Sequence, residues 1–133
     1  MKTVFIQNLI SPYRSHFFNC LNKQDNSFKV YYLSKTEADR NWDLNKIPIN
    51  HDLWIDKFGF YKKVPGFHIH INPILVLKTL FSTKINNIIL CVAYCDISIM
   101  TLVLAKKLHL TTKRYFFWAE ANYLTNGARN ESK

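Results

Sequence analysis

The chain has 133 residues, of which 48% are hydrophobic and 20% charged, a balance typical of a folded globular domain rather than a disordered segment. Three glycines and four prolines are too few for a β-sandwich with many tight turns. The net charge of +9 favours an anionic partner, whether nucleic acid, an anionic membrane surface or a phosphorylated substrate.

The first residues show no secretion signal, because the opening apolar run is short and lacks a small-residue cleavage site. No apolar stretch reaches the roughly 18 residues that a transmembrane helix needs. The three cysteines, an odd number, predict free thiols in a reducing compartment. Together these features predict a cytoplasmic protein.

An apolar strand is predicted over residues 3–9, and Ser11 with Pro12 makes a favoured helix start after it. The helix should end near residue 22. Its apolar face is formed by four residues at helical spacing: Tyr13, Phe17, Cys20 and Leu21. A second strand is predicted over residues 28–34, and it should lie parallel to the first, with a right-handed crossover.

The middle of the chain gives weaker signals. Residues 35–50 are polar and irregular, residues 52–58 predict a weak strand, and residues 59–71 predict a loop around Pro65 and Gly66.

Helices and strands alternate again in the second half. Asn72 with Pro73 starts a helix that ends near residue 82. Asp96 caps a helix over residues 97–108, which is apolar nearly all round and should therefore be covered on more than one side. Strands are predicted on either side of this helix, over residues 87–92 and 113–118.

This alternation predicts an α/β fold, Rossmann-like and doubly wound, with a mainly parallel sheet. Residues 1–122 are expected to form the domain and residues 123–133 a polar C-terminal tail.

Ligands of open parallel sheets bind beyond the carboxyl ends of the strands, so the residues that follow each strand are the candidates for a site. Arg14 lies in the first turn of a helix, where a cation is mildly unfavourable, which indicates either a functional use or simple exposure. Arg40 and Trp42 could grip a sugar or a phosphate, or cover the core. Glu120 follows an apolar strand and is either a functional carboxylate or a cap.

Cofactor and metal motifs are weak. The first strand–helix turn has no glycine, which disfavours NAD or FAD. His68 and His70 form an H-x-H pair without a third or fourth ligand at matching spacing, so no metal site is predicted. Cys91 and Cys95 are expected to be buried, inert thiols.

Five short segments in chain order resemble a known family: ISPYR at 10–14, VYYL at 30–33, RNW at 40–42, NIILCVAY at 87–94 and FWAE at 117–120. They resemble the start of a GT-B glycosyltransferase of the glycogen-synthase-like (family 4) group, and the last is similar to its W-x-E strand end. The resemblance covers most of residues 1–122.

The resemblance implies two Rossmann-like domains facing a cleft, the first binding the acceptor and the second binding the nucleotide-sugar donor with an E-x7-E pattern. This chain has no E-x7-E pattern, so it is expected to be the acceptor-side half, truncated before its donor domain and inactive alone. Transfer in the family retains the anomeric configuration and needs neither a metal ion nor another cofactor.

The resemblance also implies a set of acceptor-cleft residues, with no catalytic group among them assigned: Ser11, Tyr13, Arg14, Arg40, Trp42, Tyr94 and Glu120. Family members often act on lipid-linked or cell-surface glycans at the cytoplasmic membrane face. This implies a glycan or lipid-linked acceptor, a role in cell-envelope polysaccharide biosynthesis, and peripheral contact with an anionic membrane.

Two other interpretations stay open. A basic, non-catalytic nucleic-acid-binding α/β module is favoured by the charge, although no RNP-like or zinc-finger pattern is present. A flavodoxin-like or receiver-like regulatory domain would need a phosphate loop or an acidic cluster at the strand ends, and neither is found.

Overall fold

The computed structural model of the protein describes residues 2–36, 42–64, 67–92 and 96–118. Strands and helices follow one another in the order β1 (Lys2–Gln7), α1 (Pro12–Gln24), β2 (Phe28–Tyr32), β3 (Leu53–Ile55), β4 (Phe60–Val64), β5 (Phe67–Ile71), α2 (Pro73–Phe81), β6 (Ile85–Leu90), α3 (Ile97–Lys107) and β7 (Arg114–Phe117). A short 3₁₀ helix, Leu44–Lys46, lies between β2 and β3.

Five of the strands form one parallel sheet in the order β3-β2-β1-β6-β7. Helix α1 packs on one face of this sheet, where Phe18 meets Phe5 and Val30. Helices α2 and α3 pack on the other face, where Leu75 and Ile99 join Val4 and Ile6. The prediction of an α/β fold with a parallel sheet is confirmed, and the arrangement is compatible with a Rossmann-like fold.

The predicted loop over residues 59–71 is wrong in part. Strands β4 and β5 pair there as an antiparallel hairpin, with Phe60 opposite Ile71 and Lys62 opposite Ile69. The sequence of β4 does not alternate apolar with polar residues, and its side chains are exposed or half-buried, so a pattern based on burial misses it.

The two predicted helix starts with proline are confirmed, since Pro12 and Pro73 occupy the first turns of α1 and α2. The predicted cap of α3 is also confirmed, because the Asp96 carboxylate accepts the Ser98 backbone amide at 3.0 Å. Asn72, in contrast, makes no side-chain cap bond to α2.

The predicted apolar face of α1 is only in part its buried face, since Leu21 packs against the core and the other three residues do not lie buried in it. Tyr13 is 61% exposed and Phe17 39% exposed, and Cys20 faces solvent. The residues of α1 that are buried are mostly polar: Arg14, Ser15, Phe18 and Asn19. This inversion places a polar layer between α1 and the sheet.

Helix α3 is covered on the side that packs on the sheet, through Ile99, Leu102 and Ala105. Its opposite side is exposed, so the cover expected on more than one side is not present in the part of the chain that the structure describes. None of the helices among these described residues combines the length and apolar character needed to cross a bilayer.

Candidate functional site

The strand order reverses between β1 and β6, because the chain leaves β1 toward β2 and leaves β6 toward β7. In open parallel sheets this reversal opens a crevice at the carboxyl ends of the strands, where ligands bind. Gln7 ends β1 at this crevice, and the N-terminus of α1 follows directly.

A polar layer fills the space between α1 and the sheet. Its members are each at most 9% exposed: Gln7, Ser11, Arg14, Ser15, Asn19, Tyr32 and His51. Burying a polar group lowers stability unless the group forms a hydrogen bond. Side chains of this layer that have a partner within the protein therefore have structural roles, and those without one are candidates for binding a ligand.

Three members of the layer, Asn19, His51 and Tyr32, are linked by hydrogen bonds. The Asn19 amide donates to the Pro48 carbonyl at 2.8 Å, and its oxygen accepts both the Asn50 backbone amide and His51 Nδ1 at 2.8 Å. Because Nδ1 of His51 therefore carries the proton, its Nε2 accepts the Tyr32 hydroxyl at 3.3 Å. These bonds hold the segment before β3 against α1.

Burial favours the neutral forms of both ring systems in this chain of hydrogen bonds. Burial lowers the pKa of His51, and the nearby Asp52 carboxylate opposes it only in part. Burial also raises the pKa of Tyr32 to about 12. The layer is thus uncharged here near neutral pH, which suits a structural role.

Ser11 and Gln7 differ from these three residues. Ser11 occupies the N-cap position of α1, yet its side chain makes no cap bond. Its buried hydroxyl, like the Gln7 side-chain oxygen, has no hydrogen-bond partner among the residues that the structure describes. Such groups call for a bound partner, because a buried polar atom without one costs about 1–3 kcal/mol.

Arg14 lies in the first turn of α1, after Ser11, and is only 5% exposed. Its guanidinium carbon lies 4.6 Å from the centre of the Trp118 ring and 5.4 Å from that of Tyr13, within the range of cation–π contacts. The alternative that Arg14 is simply exposed to solvent is therefore wrong. Its cation lies at the positive end of the helix, in contact with aromatic rings.

Trp118 joins the site from the far side of the crevice. It directly follows β7, where its backbone amide donates to the Leu90 carbonyl at 2.8 Å. Its ring packs edge-on against Phe17 at 4.9 Å and Phe5 at 6.4 Å. An aromatic residue from one strand end thus reaches α1, which follows a different strand.

The structure brings together three of the predicted cleft residues: Ser11, Tyr13 and Arg14. Trp42 is half-buried and packs against the apolar core on the same side of the sheet. This position agrees with the alternative that Trp42 covers the core. Arg40, Tyr94 and Glu120 lie outside the described residues. Gln7 was not among the predicted site residues. Trp118 was noted only within the W-x-E strand end, and its contact with Arg14 depends on the tertiary fold.

A second buried cluster at the carboxyl edge lies on the α3 side. His70 Nδ1 lies 3.0 Å from Asp96 Oδ2, and the Ser98 hydroxyl accepts the Asn72 backbone amide at 2.8 Å. This cluster fastens the hairpin to the start of α3. No group of three metal ligands occurs among residues 2–36, 42–64, 67–92 and 96–118, and the His68 side chain is not described.

Another groove lies at the opposite edge of the sheet. It has a volume of about 600 Å³ and is lined by residues that end α2 and α3 or start β6 and β7, among them Ser82, Asn87 and Lys113. Because the amino ends of parallel strands are not where such sheets bind ligands, this groove does not compete with the crevice.

The fold and the crevice define an α/β protein with a Rossmann-like parallel sheet and a cation-centred polar site at its switch point. Comparisons of the chain with family models, with curated proteins and with solved structures gave no match.

Proposed function

We propose that this chain is the acceptor-side domain of a GT-B glycosyltransferase, which holds a glycan or a lipid-linked acceptor while a second α/β domain presents the nucleotide-sugar donor. In such a reaction the acceptor hydroxyl bonds to the anomeric carbon and loses its proton, and the nucleoside diphosphate leaves. We assign this domain acceptor binding and no catalytic group. The resemblance stated above further suggests retention of configuration.

One observation carries the proposal. Arg14 is buried near the Tyr13 and Trp118 rings in the first turn of α1, and Ser11 at the cap position of the same helix has a buried hydroxyl with no partner among the described residues. Binding sites for small molecules combine an aromatic or apolar surface with a few placed polar groups. Sugars match that combination, since their C–H faces pack on aromatic rings and their hydroxyls bond to cations and hydroxyls.

The exposure of Tyr13 supports the same assignment. An aromatic ring that is 61% exposed at a crevice can contact a ligand, and removing it should leave the packing of the core intact. Phe81 on α2 offers a matched control, because it is 76% exposed and lies on the other face of the sheet.

The test is glycan binding by the full chain, measured on a glycan array and followed by NMR titration of the glycans retained. Tyr13→Ala should weaken binding about tenfold, and Phe81→Ala should leave it unchanged. Equal effects of the two substitutions, or no glycan retained by the chain, would contradict the proposal. Binding of a nucleotide without any glycan would instead favour a nucleotide-binding module.

A further inference from the structure

The exposed side of α1 carries a histidine and a cysteine that lie against each other. His16 and Cys20 are four residues apart on the helix, a spacing that puts two side chains on the same face, one turn apart. Both are exposed to solvent, and the His16 Nε2 atom lies 3.6 Å from the Cys20 sulfur. The Cys20 thiol is not in a disulfide. The pair is therefore accessible and held together by the helix itself.

The distance between the two atoms is that of two ligands on one metal ion. In a tetrahedral zinc site the Zn–S bond is about 2.3 Å and the Zn–N bond about 2.0–2.1 Å, which puts the sulfur and the nitrogen about 3.6 Å apart. The same distance suits a weak hydrogen bond between the His16 ring and the Cys20 thiol. A metal ion can replace that bond after a small rotation of the imidazole ring.

The chemistry of the two donor atoms selects the cation. Thiolate sulfur and imidazole nitrogen are ligands of zinc, whereas magnesium and calcium take oxygen ligands. The thiol proton passes to solvent when the Cys20 sulfur binds, so the site gains one negative charge. Helix α1 contains no Asp or Glu that would add another. Lys23 lies one turn after Cys20 but is exposed, so water and salt screen its repulsion of the cation.

We propose that His16 and Cys20 bind a zinc-class divalent cation on the exposed side of α1. Among the residues that the structure describes, no third His, Cys, Asp or Glu completes a group with them. Water therefore fills the other two positions of the tetrahedral ion, and the site is an exchangeable one rather than a closed structural one. The inference goes beyond the proposed transferase and stands on residues that are not assigned to the crevice.

Two further candidates for metal ligands lack this arrangement. His70, which belongs to the H-x-H pair of the sequence, is 3% exposed, and its Nδ1 atom lies 3.0 Å from the Asp96 carboxylate. Cys91 is half-buried, and its thiol donates to the Ile89 carbonyl at 3.8 Å. Cys91 is therefore a suitable control for Cys20.

The experiment measures how zinc changes the rate at which iodoacetamide alkylates Cys20 in the full, reduced chain. Mass spectrometry of the peptides reads Cys20 separately from the other cysteines. His16→Gln removes the nitrogen ligand from an exposed position and preserves helix propensity. His109→Asn is the matched control, because His109 is an exposed histidine with a φ of 57°, a conformation that asparagine tolerates.

We expect zinc to slow the alkylation of Cys20 and to leave that of Cys91 unchanged. His16→Gln should raise the zinc concentration for half-protection at least about tenfold, since losing even an outer contact of a metal ligand has that effect. His109→Asn should not change it. Cobalt(II) in place of zinc should give a thiolate charge-transfer absorption band that Cys20→Ser removes and Cys91→Ser preserves.

Three outcomes would overturn the inference. One is an alkylation rate of Cys20 that zinc does not change, which would make the pair a hydrogen bond only. Another is a half-protection concentration that His16→Gln leaves unchanged, which would mean that the thiol binds alone. The last is equal protection of Cys20 and Cys91, which would mean unspecific binding.

Discussion

The Asp56 carboxylate accepts the backbone amide of Leu75 at 2.9 Å and thereby caps α2 from the end of β3. The residue at the cap position itself, Asn72, donates its side-chain amide to the Leu33 carbonyl at 2.8 Å instead. A helix on one face of the sheet is thus tied to the ends of β2 and β3, and the carboxyl edge becomes one connected framework.

Removing this cap should destabilise the whole domain. Asp56→Ala leaves the Leu75 and Phe58 backbone amides without their acceptor, so we expect the free energy of unfolding to fall by about 2 kcal/mol. Asp43→Ala is the control, because Asp43 caps only the exposed 3₁₀ helix and should cost under about 1 kcal/mol. Urea unfolding measures both free energies. Equal losses for the two variants would contradict the expectation that the Asp56 cap stabilises the domain more than the Asp43 cap does.

Gly59 is required by the same framework. A Cβ atom built there would lie 2.1 Å from Asn72 Nδ2 and 3.2 Å from the Leu33 carbonyl, and the hydrogen bond between those two groups prevents them from moving apart. Gly59→Ala should lower the free energy of unfolding by about 1–3 kcal/mol.

A double-mutant cycle tests that reason. In an Asn72→Ala background the obstructing amide is gone, so the further cost of Gly59→Ala should become smaller than in the wild type. Additive costs would mean that the Asn72 amide is not the obstruction and that the Leu33 carbonyl sets the cost.

Stability should depend on pH through His51. Its pKa is lowered in the folded chain, so below about pH 6.5 the unfolded chain binds a proton that the folded chain resists. Stability is therefore complete above that pH and falls as the pH drops through the range between the unfolded and the lowered folded pKa. His51→Gln should flatten this part of the stability profile measured by urea unfolding at a series of pH values. An unchanged slope in the variant would assign the dependence to other groups.

Ser11 should behave unlike an ordinary helix cap. Its hydroxyl makes no cap bond and is buried without a partner among the described residues, so Ser11→Ala should raise the free energy of unfolding, by up to about 1–3 kcal/mol, whereas removing a working cap lowers it by about 1 kcal/mol. The same substitution should weaken the binding of any glycan that the chain retains. A large loss of stability with unchanged ligand binding would show that the hydroxyl is structural.

The sequence predicts most of the elements, because the strands that become β1, β2 and β6 are short apolar runs and the helices start at a cap or a proline. The hairpin escapes prediction, since Lys62 and Lys63 interrupt any apolar alternation in β4. The sequence pattern also fails to predict which face of α1 is buried. Periodicity assumes that aromatic residues are buried, whereas here Tyr13 is exposed and Arg14 is covered.

The candidate site could be predicted only in part. Arg14 stands out in the sequence because its charge opposes the helix dipole, and the structure places it buried beside the Tyr13 and Trp118 rings. Trp118 lies far from Arg14 in sequence, and nothing in its local pattern indicates that it reaches across the sheet to a helix after β1. Contacts between strand ends depend on strand order, which local patterns do not specify.

The proposal of an acceptor-side transferase domain is tested most directly by reading the coding frame beyond the codon of Lys133. The account predicts that this frame, or an adjacent one, encodes a second α/β domain that carries an E-x7-E pattern. A frame that closes directly after Lys133, with no such domain encoded beside it, would contradict the proposal and leave the crevice without a donor to face.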